Sequence, residues 1–393
     1  MNHDLADRRS QGLYRDRRRL QSAQGARVWL RGREFLNFSS NDYLGLAADP
    51  RLARAAARAA RRYGCGAAAS PLVSGWLPPQ RALDHALARW EGTEAALTFG
   101  SGYAANLAAI GAVAGPPDAV FSDELNHASL IDGCRLARAA VHVYRHGDAD
   151  HLADLLRREG GSARRRLILT DTVFSMDGDL APLPDLADLA QRHDCLLLVD
   201  EAHATGILGE HGRGVTELVP LPKSFDPDRL IKVGTLSKAL AVQGGFVCGP
   251  RLLVDWLVNH ARPYIFSTAL APPIAAAARC SVTLVEEEPD RRKHVLALAA
   301  LLREQLRAAG FPPTASRSQV VPILVGEAGA AVELSARLEE RGLVVPAIRP
   351  PSVPEGRARL RISLTAGHTA EDVRRLTATL RDLHQPAAAK AGA

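Results

Sequence analysis

A chain of 393 residues, 47% hydrophobic and 23% charged, is long enough for two domains and is composed like an ordinary globular protein. Its net charge of +6 is spread along the sequence with no helix-turn-helix, RNP or zinc-finger pattern, which argues against nucleic-acid binding. No apolar run approaches the roughly 18 residues that cross a bilayer, so no membrane role is expected either.

The N-terminus, MNHDLADRRSQGLYRDRRRL, interleaves acids with arginines and lacks the apolar stretch of a secretory signal. Cys65, Cys134, Cys195, Cys248 and Cys280 are widely spaced and form no C-x-x-C, which suits reduced thiols in the cytoplasm. Residues 1–49 have no core pattern of their own and are expected to pack with the smaller of two domains. Residues 50–285 are expected to form the larger one. There, short apolar runs predict strands at Ala95–Phe99, Ala119–Ser122, Val141–Tyr144, Leu167–Thr170, Cys195–Val199, Leu230–Val233 and Gly245–Val247. Periodic segments such as Asp148–Arg158 and Pro184–His193 predict helices between them. Apolar runs alternating with helices imply an α/β fold with a mostly parallel sheet covered on both faces. A helix-rich stretch follows from about Pro250 to Ala309. Residues 286–385 then predict a small α+β domain with an antiparallel sheet. In "RARLRISL", Leu360, Ile362 and Leu364 mark a buried face, and Arg359, Arg361 and Ser363 an exposed one. The Ala-rich residues 386–393 are expected to be a disordered tail.

The chemistry begins with a lysine. The chain has only five, Lys223, Lys232, Lys238, Lys293 and Lys390, yet "GTLSKAL" places Lys238 among small residues just after an apolar strand. Lysine is needed over arginine where a nitrogen must lose its proton and form a Schiff base. Taken alone, Lys238 reads as an ordinary solvated lysine. Three other segments change that. "CLLLVDEAHATG" ends a strand in Asp200, at the carboxyl edge where open parallel sheets bind ligands. A helix N-cap is the plainer role for that aspartate. "LTFGSGYAANLAAI" runs a strand through Gly100-Ser101-Gly102 into a helix, a cradle for phosphate. "ELNHASLIDG" puts His127 at the same edge, where it either caps a helix or stacks on a planar ring.

The glycines also satisfy G-x-G-x-x-A, with Asp118 or Asp123 near the acidic position of a dinucleotide site, so a nicotinamide-dependent oxidoreductase competes. That alternative leaves Lys238 and Asp200 unexplained. His142 and His146 are spaced i, i+4 but lack the rest of a zinc motif, and no metal is expected. A phosphate cradle, a stacking group, a carboxylate and a Schiff-base lysine together are the contacts of pyridoxal phosphate.

"SSNDYLGL", "SGYAAN", "NHASLIDG", "VFSMDGDLAPL", "VDEAHATGILGEHGRG", "GTLSKAL", "YIFSTALAPP" and "IRPPSVPEGRARLRISL" resemble, in order and over about Leu13 to Leu383, the α-oxoamine synthases. These are fold-type-I pyridoxal-phosphate transferases, aspartate-aminotransferase-like, that join an amino acid to an acyl thioester with decarboxylation. The resemblance implies a seven-stranded large domain and a homodimer with shared active sites. It implies that Lys238 holds the cofactor covalently, Asp200 binds the pyridinium nitrogen and His127 stacks on the ring. Ser175 and His203 match contacts to the phenolic oxygen, and Gly102, Tyr103 and Thr235 match contacts to the phosphate. Thr268 matches a phosphate contact given by the neighbouring subunit. Arg349, with Arg361 as a second candidate, matches the anchor for the amino-acid carboxylate; Asn41 and Ser74 match substrate-side positions.

Within the family, the arginines of "RDRRRLQSAQG", with Arg17 at a substrate-contacting position, resemble the branch that joins L-alanine to a pimeloyl thioester at the start of biotin ring assembly. "LVSGW" and "AIRPPSVPEG", with Ser352 in place of threonine, resemble it too. The thioester is expected on acyl carrier protein or coenzyme A. The branches that make 2-amino-3-oxobutyrate, 5-aminolevulinate or a serine–palmitoyl condensate are the alternatives. "GCGAAASPLVSG" departs from the family, Ala67–Pro71 replacing a run richer in glycine or bearing arginine.

Overall fold

In a computed structural model that describes residues 1–161 and 163–384, the chain divides into two compact units. The first comprises residues 1–45, 175–179 and 291 onward; the second comprises 46–174 and 180–290. The expected tail at 386–393 lies outside the described residues.

In chain order, β1 (Arg27–Leu30) and β2 (Arg33–Asn37) form a hairpin in the first unit. The second unit then supplies β3 (Ala95–Phe99), β4 (Ala119–Asp123), β5 (Ala140–Tyr144), β6 (Arg166–Asp171), β7 (Leu196–Asp200), β8 (Leu230–Thr235) and β9 (Gly245–Gly249). The first unit closes with β10 (Val320–Gly326), β11 (Leu343–Val344), β12 (Ala347–Ile348) and β13 (Ala358–Ser363). All seven expected strands of the large sheet are present, most extended by a residue or two.

That sheet has the order β3-β9-β8-β7-β6-β4-β5. Its pairs are parallel from β8 across to β5, while β9 runs antiparallel to both β8 and β3. Two reversals restore direction, so β3 points the same way as β8. The carboxyl ends of β3, β4, β5, β6, β7 and β8 therefore share one edge. Both faces are covered along the other six strands, as continuous apolar strands require, while the edge strand β5 leaves Val141 and Val143 exposed. Leu97, Val120, Leu169, Leu198, Val233 and Val247 pack with Ala105, Ala109 and Ile110 of the helix Gly102–Val113 and Leu130 of the helix Ala128–Ala137.

The first unit has two three-stranded sheets, β1-β2-β11 and the antiparallel β10-β13-β12. Their core gathers Leu36 and Phe38 with Leu298, Leu302, Leu343, Leu360, Ile362 and Leu376. One expectation fails here. The polar side of β13 is not exposed: Arg359, Arg361 and Ser363 are buried, like Leu360 and Ile362 between them. Segment 175–179 supplies the cover: Arg359 pairs with Asp177, and Arg361 Nε donates to the Ser175 carbonyl. Period-two alternation distinguishes two faces but does not say what packs on the polar one.

Candidate active site

The carboxyl edge of the large sheet gathers the second unit's candidates, each placed by its strand end. The chain leaves β3 through Gly100-Ser101, and Ser101 Oγ caps the helix Gly102–Val113 by accepting the N–H of Ala104 at 3.0 Å. Neighbouring glycines make room at that helix N-terminus. A Cβ on Gly102 would stand 3.2 Å from Thr235 Cβ and Oγ1, and one on Gly245 would lie 2.5 Å from Gly102 Cα. Gly102 and Thr235 are thus brought side by side. Thr235 Oγ1 lies 2.7 Å from Ser237 Oγ and donates to the Gly244 carbonyl at 3.0 Å. Free helical N–H groups beside two hydroxyls suit a phosphate.

Lys238 sits in the hairpin loop joining β8 to β9, which is closed by the Leu236 N–H donating to Gly244 O at 2.9 Å. The loop's backbone is forced. Ala241 has φ +59, and Gly244 at φ +135 would drive a Cβ to 2.8 Å from Leu236 Cδ1. Two residues past the end of β7, Ala202 donates its N–H to Asp200 Oδ1 at 2.8 Å; this closes a turn and not the helix N-cap expected of Asp200, because no helix begins before Val215. Asp200 is nonetheless buried, and its Oδ2 accepts the Asn106 side-chain amide at 2.6 Å. His203 is buried in the turn that follows. Glu201, also buried, accepts from Thr172 Oγ1 at 2.6 Å and from the N–H groups of Val215 and Thr216 at 2.9 Å, tying down the loop that returns from His203.

His127 likewise serves two roles. It caps the helix Ala128–Ala137, its Nδ1 accepting the Ser129 N–H at 3.2 Å, while its own N–H donates to Asp171 Oδ2 at 2.6 Å. Although the residue is exposed, desolvation of the ring pulls its pKa below the ordinary histidine value; Asp200 acts upward and Lys238 downward. Asp171 at the end of β6 is buried beside Asp200. Burial first, and that neighbouring carboxylate second, push its pKa well above the usual range.

Tyr103 is exposed and donates its hydroxyl to Asp132. Ser74 and Thr268 are exposed on two adjoining segments: Ala269 N–H donates to Ala69 O at 3.0 Å, and Gln80 Nε2 to Leu270 O at 2.6 Å.

Ser175, Arg17, Asn41, Arg349, Ser352 and Arg361 belong to the first unit. Arg349 and Ser352 line an open recess of about 720 Å³ there, together with Tyr14, Arg15, Arg18 and Arg33. Arg349 donates to the Tyr14 carbonyl at 2.5 Å, while its buried Nε has no hydrogen-bond partner. Partial burial and the nearby Arg15 lower its pKa from the usual arginine value. Arg361 differs: its donors go to Ser175 O, to Ser363 Oγ at 2.9 Å, to Asn41 Oδ1 at 3.2 Å and to Tyr43 Oη at 3.4 Å. Arg17 lies exposed.

The dinucleotide alternative loses its acidic residue. Asp118 is engaged by Arg164 at 3.0 Å, and Asp123 accepts the N–H groups of Leu125 and Gly147 at 2.9 Å. The glycine-bearing strand β3 also sits at a sheet edge beside an antiparallel partner, outside any βαβ unit.

Residues 33–380 match the family model for aminotransferase class I and II. The chain belongs to that family. Within the aminotransferase class I and II family it is 49% identical over 387 residues to an 8-amino-7-oxononanoate synthase of Anaeromyxobacter dehalogenans, covering 98% of this chain and 96% of that protein. Among solved structures it resembles a serine palmitoyltransferase from S. paucimobilis with bound PLP–myriocin aldimine, at TM-score 0.90 and 29% identity, covering 97% and 96% of the two chains. It also resembles the 8-amino-7-oxononanoate synthase of Francisella tularensis, at TM-score 0.76 and 28% identity, covering 89% and 97%.

Sequence inspection assigned no role to Asn106, Ser129, Asp171 or Glu201. For Asn106 a signal was present: it is a polar residue in the otherwise apolar helix Gly102–Val113.

Proposed function

We propose that this chain condenses L-alanine with a pimeloyl thioester, carried on acyl carrier protein or coenzyme A, as an 8-amino-7-oxononanoate synthase of biotin biosynthesis. Carbon dioxide and the free thiol are released. The observation that carries the proposal is the 49% identity, over nearly the whole chain, to a curated synthase of that name. The two solved neighbours differ in named activity at almost equal identity, so fold alone does not choose the substrates.

The residues at the sheet edge fit pyridoxal 5′-phosphate: a glycine-lined helix N-terminus with Thr235 for the phosphate, Asp200 for the ring nitrogen, His127 for the ring face and Lys238 for the aldehyde carbon. Tyr103 joins the phosphate contacts, and Ser175 and His203 serve the phenolic oxygen. When bound, the cofactor supplies a sink for the electron pair left at the alanine Cα. The chain's own groups do the rest. Arg349, whose Nε lacks a partner, holds the alanine carboxylate. Arg361, its donors engaged within the first unit, positions Asn41 beside the substrate. Lys238 Nζ, released once alanine is bound, takes the proton from Cα. Asp200 keeps a negative charge against the ring nitrogen, so the nitrogen stays protonated. Ser74, Ser352 and Arg17 face the acyl donor.

The active unit is a homodimer, and Thr268 reaches the partner's phosphate. Support comes from Val73 (79% exposed) and Phe266 (70%), with Leu72 and Trp76, apolar side chains on the segments that carry Ser74 and Thr268. We place the protein in the cytoplasm, in accord with five cysteines that form no disulfide. No helix among the described residues is long and apolar enough to cross a membrane.

Reduction of the holoenzyme with borohydride, then peptide mapping, tests the assignment of Lys238. The tag is expected on the peptide containing residue 238, and Lys238→Ala is expected to retain no covalent tag and to lose at least about a thousandfold in rate. A tag on another lysine would refute the role of Lys238.

A further inference from the structure

Two groups that the proposed chemistry leaves unused, Asn106 and Ser129, form one hydrogen-bond chain between Asp200 and His127. Asn106, 2% exposed, donates its amide to Asp200 Oδ2 at 2.6 Å and to Ser129 Oγ at 2.8 Å. Ser129, 1% exposed, has its Oγ 2.7 Å from His127 Nδ1. The donor directions follow from chemistry. Turning the Asn106 amide over would set its carbonyl oxygen 2.6 Å from a carboxylate oxygen, two acceptors in contact, so the NH₂ faces Asp200. Ser129 Oγ therefore accepts from Asn106 and has its own proton to give to His127 Nδ1. The Ser129 N–H points at the same nitrogen at 3.2 Å. An imidazole nitrogen approached by two donors carries no proton.

We infer that Asn106 and Ser129 are positioning residues which hold His127 as the neutral Nε2–H tautomer and tie its ring to the Asp200 carboxylate. The inference rests on the proposed placing of His127 and Asp200 against the cofactor ring. A neutral imidazole stacks on a cationic pyridinium without charge repulsion, whereas an imidazolium would oppose the charge that Asp200 sustains. Asp200 Oδ2, with one lone pair taken by Asn106, keeps another for the ring nitrogen. The charged groups around His127 do not fix its state between them. Asp200 and Asp132 favour the imidazolium, Lys238 opposes it, and Asp171 accepts only the backbone N–H. Desolvation of the ring favours the neutral form, and the hydroxyl and N–H of Ser129 fix which nitrogen carries its proton.

Nitrogen-15 histidine spectra of the full chain, with cofactor removed, read the tautomer and titration of His127 directly. Wild type is expected to show Nε2–H alone. Ser129→Ala is expected to mix the tautomers and raise the imidazole midpoint by roughly one pH unit, the equivalent of one hydrogen bond to the neutral form. Ser129→Thr should restore the wild-type pattern, and Asn106→Ala should shrink the effect of Ser129→Ala, because the two act as a chain. A single Nε2–H tautomer with an unmoved midpoint in Ser129→Ala would overturn the inference, as would a well-folded Ser129→Thr that behaves like Ser129→Ala. The underlying placement is tested separately in the holoenzyme. There Asp200→Asn should shift the pH dependence of the cofactor's visible absorbance; an unchanged spectrum would reject the cofactor role of Asp200 whatever the imidazole shows.

Discussion

His368 shows how strongly this fold can hold one ionisable group in one state. It is 1% exposed and stacks on Phe38 at 4.4 Å between ring centroids. Its Nδ1 accepts the Thr365 N–H at 3.0 Å, which leaves Nε2–H to donate to Asn37 O at 3.1 Å. Burial drives the pKa down to about 4. The folded pKa is depressed, so between about pH 6.5 and 4 the unfolded chain binds a proton that the folded chain refuses. The contribution is fully present above pH 6.5 and is lost as pH falls through that window, amounting to about 3 kcal/mol. His368→Gln is expected to flatten the unfolding free energy between pH 6.5 and 4 relative to wild type, measured by denaturant titration at each pH. Parallel profiles for the two proteins would contradict it. Lysine teaches a related lesson. Scarcity drew attention to Lys238, but Lys232 is as scarce a residue and is more deeply buried, its Nζ 2.5 Å from Glu91 Oε2. What separates them in the sequence is position: Lys232 lies within an apolar strand, and Lys238 in the loop after it.

Among the elements, the strands of the large sheet and the residues at its carboxyl edge were legible, because fully apolar runs and the turn residues after them are local signals. Asp200, His127 and the Gly100–Gly102 turn all fall where their strand ends put them. What the sequence did not disclose depends on distant packing. Segment 175–179 buries the polar side of β13, and Asn106 meets Asp200 only because the helix Gly102–Val113 packs over β8 and β9, beside the end of β7. Gly245 is a further case, unremarkable in sequence yet pressed against the helix start. A Cβ there would meet Gly102 backbone at 2.5 Å, and backbone cannot swing aside as a side chain can. Gly245→Ala is therefore expected to displace the helix N-terminus and weaken cofactor binding at least about tenfold, read by fluorescence titration with pyridoxal phosphate. Wild-type affinity in a folded variant would show that the cradle is not built on this contact.

For the whole molecule, the pattern of alternating strands and helices gave the α/β class, and the sheet order places the carboxyl ends of six strands on one edge. The antiparallel β9 matters here, since its two reversals return β3 and its glycine turn to that edge. The proposed subunit contact belongs to this scale as well. Phe266→Asp is expected to convert a dimer to a monomer in analytical ultracentrifugation, and an unchanged dimer would move the interface elsewhere. Substrate choice is the central claim and the property least visible in the fold, which is shared with a serine palmitoyltransferase. The direct measurement offers the holoenzyme L-alanine, glycine and L-serine against pimeloyl, acetyl, succinyl and palmitoyl thioesters, with products identified by mass. The expected result is 8-amino-7-oxononanoate from L-alanine and the pimeloyl donor, faster than any other pair. Faster turnover of glycine with an acetyl or succinyl donor, or of serine with palmitoyl, would contradict the account.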